Sequence, residues 1–121
     1  MVTTLNWFEI PATDFERAKT FYAKVLDVQI HDDPNRQYAY LPADPQTGGF
    51  SGAIGIGENF VPSTTGTTIY LDGGNDLSVP LNRVETAGGK VILPKTAIGG
   101  NGFIALFIDS EGNKIGFHSM G

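Results

Sequence analysis

Apolar positions along the chain recur with two periods. Leu5-Asn6-Trp7-Phe8-Glu9-Ile10 is rich in aromatic and branched residues and stops at Pro11, which predicts a strand. Phe15, Ala18, Phe21, Tyr22, Val25 and Leu26 then recur at helical spacing, which predicts a helix from about Asp14 to Leu26. Arg17, Lys19 and Lys24 fall mostly off its apolar face. Thr13-Asp14-Phe15-Glu16 has the form of a capping box, with Thr13 as cap and Glu16 reaching back to its amide. Val28–His31, Gln37–Leu41 and Phe50–Ile56 read as three short strands. The turn Asp32-Asp33-Pro34-Asn35 and a loop over 42–49 separate them. Gly52 and Gly55 point to a bulge or a close backbone approach in the third.

The same order returns after a connecting segment from Glu58 to Gly66. Thr67–Leu71 reads as a strand, and Gly73-Gly74-Asn75-Asp76 turns into a helix with Leu77, Leu81, Val84 and Ala87 inward. Pro80 suits only a first turn, whose amides have no intrahelical partner, so the helix starts near Asp76 to Ser78. Gly88-Gly89 ends it. Lys90–Leu93, Phe103–Ile108 and Lys114–His118 are strands, with Asp109–Asn113 turning between the last two. An offset of 62 superposes Asp14 on Asp76, Phe15 on Leu77, Tyr22 on Val84 and Val25 on Ala87. Each half is therefore strand, helix, three strands. The fold class is α+β, two βαβββ modules over about 1–60 and about 61–121 of a single domain. One helix covers one face of a four-stranded sheet. The other face must cover a second unit, a ligand or a partner chain.

Composition narrows the function classes. The chain has 121 residues and no cysteine, which removes disulfides, thiolate metal sites and cysteine nucleophiles. Eight Lys and Arg against thirteen Asp and Glu leave a net charge of −5. The basic residues stand singly, so no nucleic-acid partner is expected. The longest apolar run, Phe103–Ile108, is far short of the ~20 residues that span a membrane. No basic segment followed by an apolar stretch opens the chain, and a cytoplasmic location is expected.

Trp7-Phe8-Glu9-Ile10-Pro11 followed by Asp14-Phe15-Glu16-Arg17-Ala18-Lys19-Thr20-Phe21-Tyr22 resembles the opening strand and helix of the vicinal-oxygen-chelate superfamily. Glyoxalase I, bleomycin-resistance proteins and extradiol dioxygenases belong to it. Asp109-Ser110-Glu111-Gly112-Asn113-Lys114-Ile115 resembles its closing turn, and Gly88-Gly89-Lys90-Val91 its helix-to-strand junction. The resemblance implies a U-shaped mixed sheet around a cavity, a small-molecule ligand and a homodimer that shares cavity walls. In metal-dependent members, His, Gln or Glu side chains on the first, fourth, fifth and last strands hold one divalent ion. The matching positions here are Trp7, the stretch Gly52–Gly55, Gly66 or Thr67, and Gly116. None is a histidine or carboxylate, so no metal cofactor is expected.

Strand alternation puts Trp7 and Glu9 on one face, and Lys114, Gly116 and His118 on another. Phe8, Ile10, Ile115 and Phe117 suit the helix side. Glu9, between apolar neighbours, is a candidate proton acceptor if burial raises its pKa, or else a structural carboxylate. His118 is a candidate partner or base, or else an exposed strand-end histidine. His31 with Asp32 and Asp33 reads as a solvated turn. Trp7, Tyr38, Tyr40, Tyr70, Phe103 and Phe107 are candidates to line a pocket with Gly116, some of them as ordinary core. Three readings follow. The first is a metal-independent binder of an apolar or aromatic molecule. The second is a glyoxalase- or epimerase-type enzyme with Glu9 as base. The third is an interaction module closed by a partner chain.

Overall fold

The computed structural model describes residues 5–44, 46 and 48–121. Pro45 and Thr47, in the loop expected over 42–49, lie outside the described residues, as do residues 1–4. The first module runs β1 (Phe8–Ala12), α1 (Phe15–Leu26), β2 (His31–Asp32), β3 (Tyr38–Pro42) and β4 (Phe50–Ile56). The second runs β5 (Tyr70–Asp72), α2 (Ser78–Leu81), α3 (Val84–Ala87), β6 (Lys90–Ala97), β7 (Phe103–Ile108) and β8 (Lys114–Ser119). Each module builds a four-stranded mixed sheet, ordered β1-β4-β3-β2 and β5-β8-β7-β6. In each, the first strand pairs in parallel with the last and the other pairs are antiparallel. The α+β class and the two βαβββ modules are therefore as the pattern predicts. No helix among the described residues is long and apolar enough to cross a membrane.

The helices of both modules gather on a shared core. Phe15, Ala18, Phe21, Tyr22 and Val25 of α1 are buried with Ile10 and Ile54 of the first sheet and Phe107, Ile115 and Phe117 of the second. The Phe21 ring lies 6.2 Å from that of Phe107. A large apolar side chain buried this way contributes roughly 1.5–3 kcal/mol, so the two modules stabilise one another.

Several boundaries move, each for a local reason. Thr13 does not cap α1. Asp14 does, its Oδ1 accepting the Arg17 amide at 3.1 Å, while Glu16 turns outward to Lys19. The second helix is two short ones, because the Arg83 amide reaches back only to the Pro80 carbonyl and tightens the chain. β6 continues through Pro94, which an edge strand tolerates because one side of its backbone needs no partner. The first module's short second strand falls at His31–Asp32, not Val28–His31, and β5 begins three residues late, at Tyr70. Gly52 and Gly55 mark close approaches: a Cβ would strike Phe8 at the first and the Phe60 ring at the second.

What replaces the capping box comes from the other module. Glu111, in the turn between β7 and β8, has a fully buried side chain. Its Oε1 accepts the amides of Thr13 and Asp14 at 2.8 and 2.7 Å, and Arg17 Nε donates to its Oε2 at 2.7 Å. Behind it, buried Asp109 accepts from the Tyr22 hydroxyl at 2.5 Å, from the amides of Glu111 and Asn113, and from the Asn113 side chain. Asn113 also donates to the Pro11 carbonyl at 2.7 Å. Burial works to raise the Glu111 pKa, but the Arg17 guanidinium and the two helix-end amides overcome it and hold the carboxyl at about 2. Burial, then the Asp109 charge, keeps the Tyr22 hydroxyl protonated far above its usual range.

A folded pKa below the ordinary value of 4.5 means that this contribution is complete above pH 4.5 and is lost as pH falls towards 2. At ~1.4 kcal/mol per unit it amounts to about 3 kcal/mol. We expect Glu111→Gln to lower unfolding free energy by about that amount at pH 7. The gap between variant and native chain should close at acid pH. Denaturant unfolding across pH 2–7 checks both, and a pH-independent gap would assign the loss to packing instead.

Candidate functional site

Each sheet has one face without a helix. On the first, register aligns Glu9, Ala53, Tyr40 and His31 in one row and Pro11, Gly55 and Tyr38 in the next. Alternation thus carries the side chains of Glu9, Tyr38 and Tyr40 to the side opposite the core residues Ile10 and Ile54. Tyr38 is the centre of this face. Its hydroxyl accepts from Trp7 Nε1 at 3.0 Å and donates to Glu9 Oε2 at 2.7 Å. Its ring meets Tyr40 edge-on at 5.4 Å and Phe60 at 6.5 Å, and the Arg36 guanidinium lies over it at 3.9 Å. Burial, then the bond to Glu9, raises the Tyr38 pKa, while the Trp7 donor works the other way.

The aromatic wall continues outward. Tyr40 meets Trp7 edge-on at 6.3 Å and stacks on Phe50 at 5.0 Å; His31 lies 5.5 Å from Phe50. The Tyr40 hydroxyl donates to Asp33 Oδ2 at 2.6 Å, and that bond holds the Asp33 carboxyl below its usual range. Trp7 is 39% exposed and Phe50 44%, so the wall presents large rings to solvent.

The structure brings four of the sequence candidates together: Trp7, Glu9, Tyr38 and Tyr40. Glu9 is exposed, and its apolar neighbours Phe8 and Ile10 lie on the opposite, core-facing side of the strand. Tyr70, Gly116 and His118 lie on the helix-free face of the second sheet, where the Tyr70 ring sits over Gly116. His118 and Glu9 belong to different sheets and share no hydrogen bond among the described residues. His118 Nε2 instead lies 2.6 Å from the Asn101 carbonyl, and its register neighbour is Asp72. Phe103 and Phe107 point the other way. They share a side with Ala105 and pack in the core, with Lys95 Nζ 4.5 Å from the centre of the Phe103 ring. The acids after His31 are engaged elsewhere, Asp32 with Lys19 and Asp33 with Tyr40.

Trp7, Gly52, Gly55 and Gly116, at positions where the resemblance implies metal ligands, carry no histidine or carboxylate. The Trp7 indole is a donor committed to Tyr38. Gly52 and Gly55 are closed by Phe8 and Phe60, and the open side of Gly116 is filled by Tyr70. Phe50, Phe60 and Arg36 join the site without having been singled out from the sequence. The pairing of β3 with β4 carries Phe50 to Pro42, beside Tyr40, whereas Phe60 lies in a connection with no periodicity to read.

Two cavities are lined by residues of both modules. A cleft of about 570 Å³ runs between modules, lined by Phe8, Leu26, Leu41 and Ser51 on one side and Tyr70, Leu71 and Asp72 on the other. A smaller one of about 160 Å³ carries Glu9 and Lys114.

The model of the glyoxalase/bleomycin resistance protein/dioxygenase superfamily matches residues 4–117. No curated protein matches the chain in sequence. Solved structures share the fold. A hypothetical protein from S. aureus is 23% identical, with a TM-score of 0.70, over 98% of this chain and 94% of its own. An antibiotic binding protein from Streptomyces sp. CB03234 is 23% identical, with a TM-score of 0.65, over 98% and 96%. A glyoxalase-related enzyme from Fulvimarina pelagi is 14% identical, with a TM-score of 0.70, over 98% and 88%. At these identities the likeness is one of fold.

Tyr38→Phe should cost about 1 kcal/mol, the ordinary worth of a part-buried hydrogen bond, and shift the emission of Trp7, the chain's only tryptophan. Unchanged emission would mean that the indole is not held by Tyr38 in solution.

Proposed function

Because the chain belongs to the glyoxalase/bleomycin resistance protein/dioxygenase superfamily, we propose that it binds a small apolar or aromatic molecule on the first sheet's helix-free face, without a metal ion. The observation that carries this reading is the wall of Trp7, Tyr38, Tyr40 and Phe50. Rings fixed by their own hydrogen bonds and stacking lose little freedom when a flat ligand lies on them. Trp7 stands where metal-dependent members place a ligand atom, and it fills that space with an apolar plane. The antibiotic-binding protein of the same fold supports the reading.

Glu9 serves this function by holding the Tyr38 hydroxyl, which in turn accepts from the Trp7 indole. A base buried away from water would suit proton abstraction better than this exposed carboxylate does. The cytoplasmic homodimer belongs to the same proposal. A second copy closing over the exposed Trp7, Phe50 and Tyr70 would complete the cavity and remove those rings from water.

Planar aromatic compounds should stabilise the chelator-treated protein, by about 2.7 kcal/mol at 100 times Kd. Trp7→Ala should weaken the same compounds at least tenfold, and sedimentation should give twice the chain mass. Strong stabilisation by Ni, Zn, Mn, Mg or Fe(II) alone would overturn the metal-free reading. A protein that no aromatic compound stabilises would overturn the binding reading, leaving an interaction face closed by another chain.

A further inference from the structure

Two residues of opposite charge line the smaller cavity without an ion pair between them among the described residues. Glu9 from β1 and Lys114 from β8 both line this space of about 160 Å³, with Ser63, Thr65 and Thr67 of the connecting segment between the modules. The Glu9 carboxylate accepts from the Tyr38 hydroxyl through Oε2 at 2.7 Å. The Lys114 ammonium has no carboxylate partner among the described residues, while its backbone amide donates to the Ser63 carbonyl at 3.2 Å and sets the wall in place. A group that displaces water from such a cavity must return a charge of opposite sign to each side. The threonine and serine hydroxyls can donate or accept beside either charge.

Glu9 belongs to both the cavity and the aromatic wall, through Tyr38 and Trp7. The cavity is smaller than the roughly 300 Å³ at which pockets begin to enclose a whole drug-sized ligand, so it suits a head group rather than a ring system. We infer that it takes the dipolar head of the ligand, an ammonium against Glu9 and a carboxylate against Lys114, while the aromatic body lies on Trp7, Tyr40 and Phe50. The ligand class is an aromatic zwitterion of amino-acid type. This rests on the aromatic-binding reading above and adds the charge pattern to it.

Calorimetric titration at neutral pH with four indoles separates the two. Tryptophan carries both charges, tryptamine the cation alone, indole-3-propionate the anion alone and indole-3-ethanol neither. Tryptophan should bind at least tenfold more tightly than each of the others. Glu9→Gln should erase its advantage over indole-3-propionate, and Lys114→Met its advantage over tryptamine, in proteins with native circular dichroism. Equal affinity for all four would overturn the dipolar head and leave the aromatic wall standing. Tryptamine alone binding tightly, with Lys114→Met indifferent, would overturn it too. No heat from any indole at two well-separated temperatures would remove the wall along with it. The native-protein series decides these outcomes even if a variant does not fold.

Discussion

Backbone amides at a helix start must find acceptors, and in α1 the acceptor comes from the far end of the chain. Glu111 takes the amides of Thr13 and Asp14 together with the Arg17 guanidinium. Its own backbone amide is held by Asp109, which also anchors Tyr22 in the core. One turn of the second module therefore sets where the first module's helix begins and how the two cores meet. Such a network is stabilising because it is complete: no buried side-chain nitrogen or oxygen among the described residues lacks a partner.

That docking consumes the helix-bearing side of both sheets and leaves the opposite faces for function. On the first sheet the face is organised by one hydroxyl. Tyr38 uses its single proton on Glu9 and a lone pair on Trp7, so an acid and an indole are held in one geometry. Rings then pack outward from it through Tyr40 to Phe50. Asp33 anchors the far end of Tyr40. The result is an aromatic surface whose rings meet edge-on and stacked, and Lys114 of the second module lines a cavity together with Glu9.

The repeat was legible because it rests on periodicity. Every helical position named for α1's apolar face is buried or packs on the core, and Asp76, aligned with Asp14, likewise accepts the amide of a helix start. Faces of strands were legible too: Trp7 and Glu9 share a side, and Ile10, Ile115 and Phe117 take the other. Local capping was not. Thr13 to Glu16 has the right spacing, yet a buried acceptor from residue 111 outcompetes a neighbouring side chain exposed to water. Whether Glu9 is paired was not legible either, because its partner Tyr38 comes from another strand. Which of the named aromatics pack on the core was not legible, and Phe103 and Phe107 prove to be among those that do.

The sequence by itself determined the two modules, their order of elements and the side of each strand that faces a helix. These follow from local spacing, which the backbone geometry of helices and strands converts directly into faces. Only the tertiary structure decided which residues from different elements meet: Glu111 with the start of α1, Tyr38 with Glu9, Tyr70 over Gly116, and Glu9 with Lys114 across one cavity. Those meetings depend on register, on closure of the chain over many residues and on the docking of one module against the other. No local pattern encodes them, because each partner satisfies a hydrogen bond, a charge or a packing gap that exists only once both modules are in place.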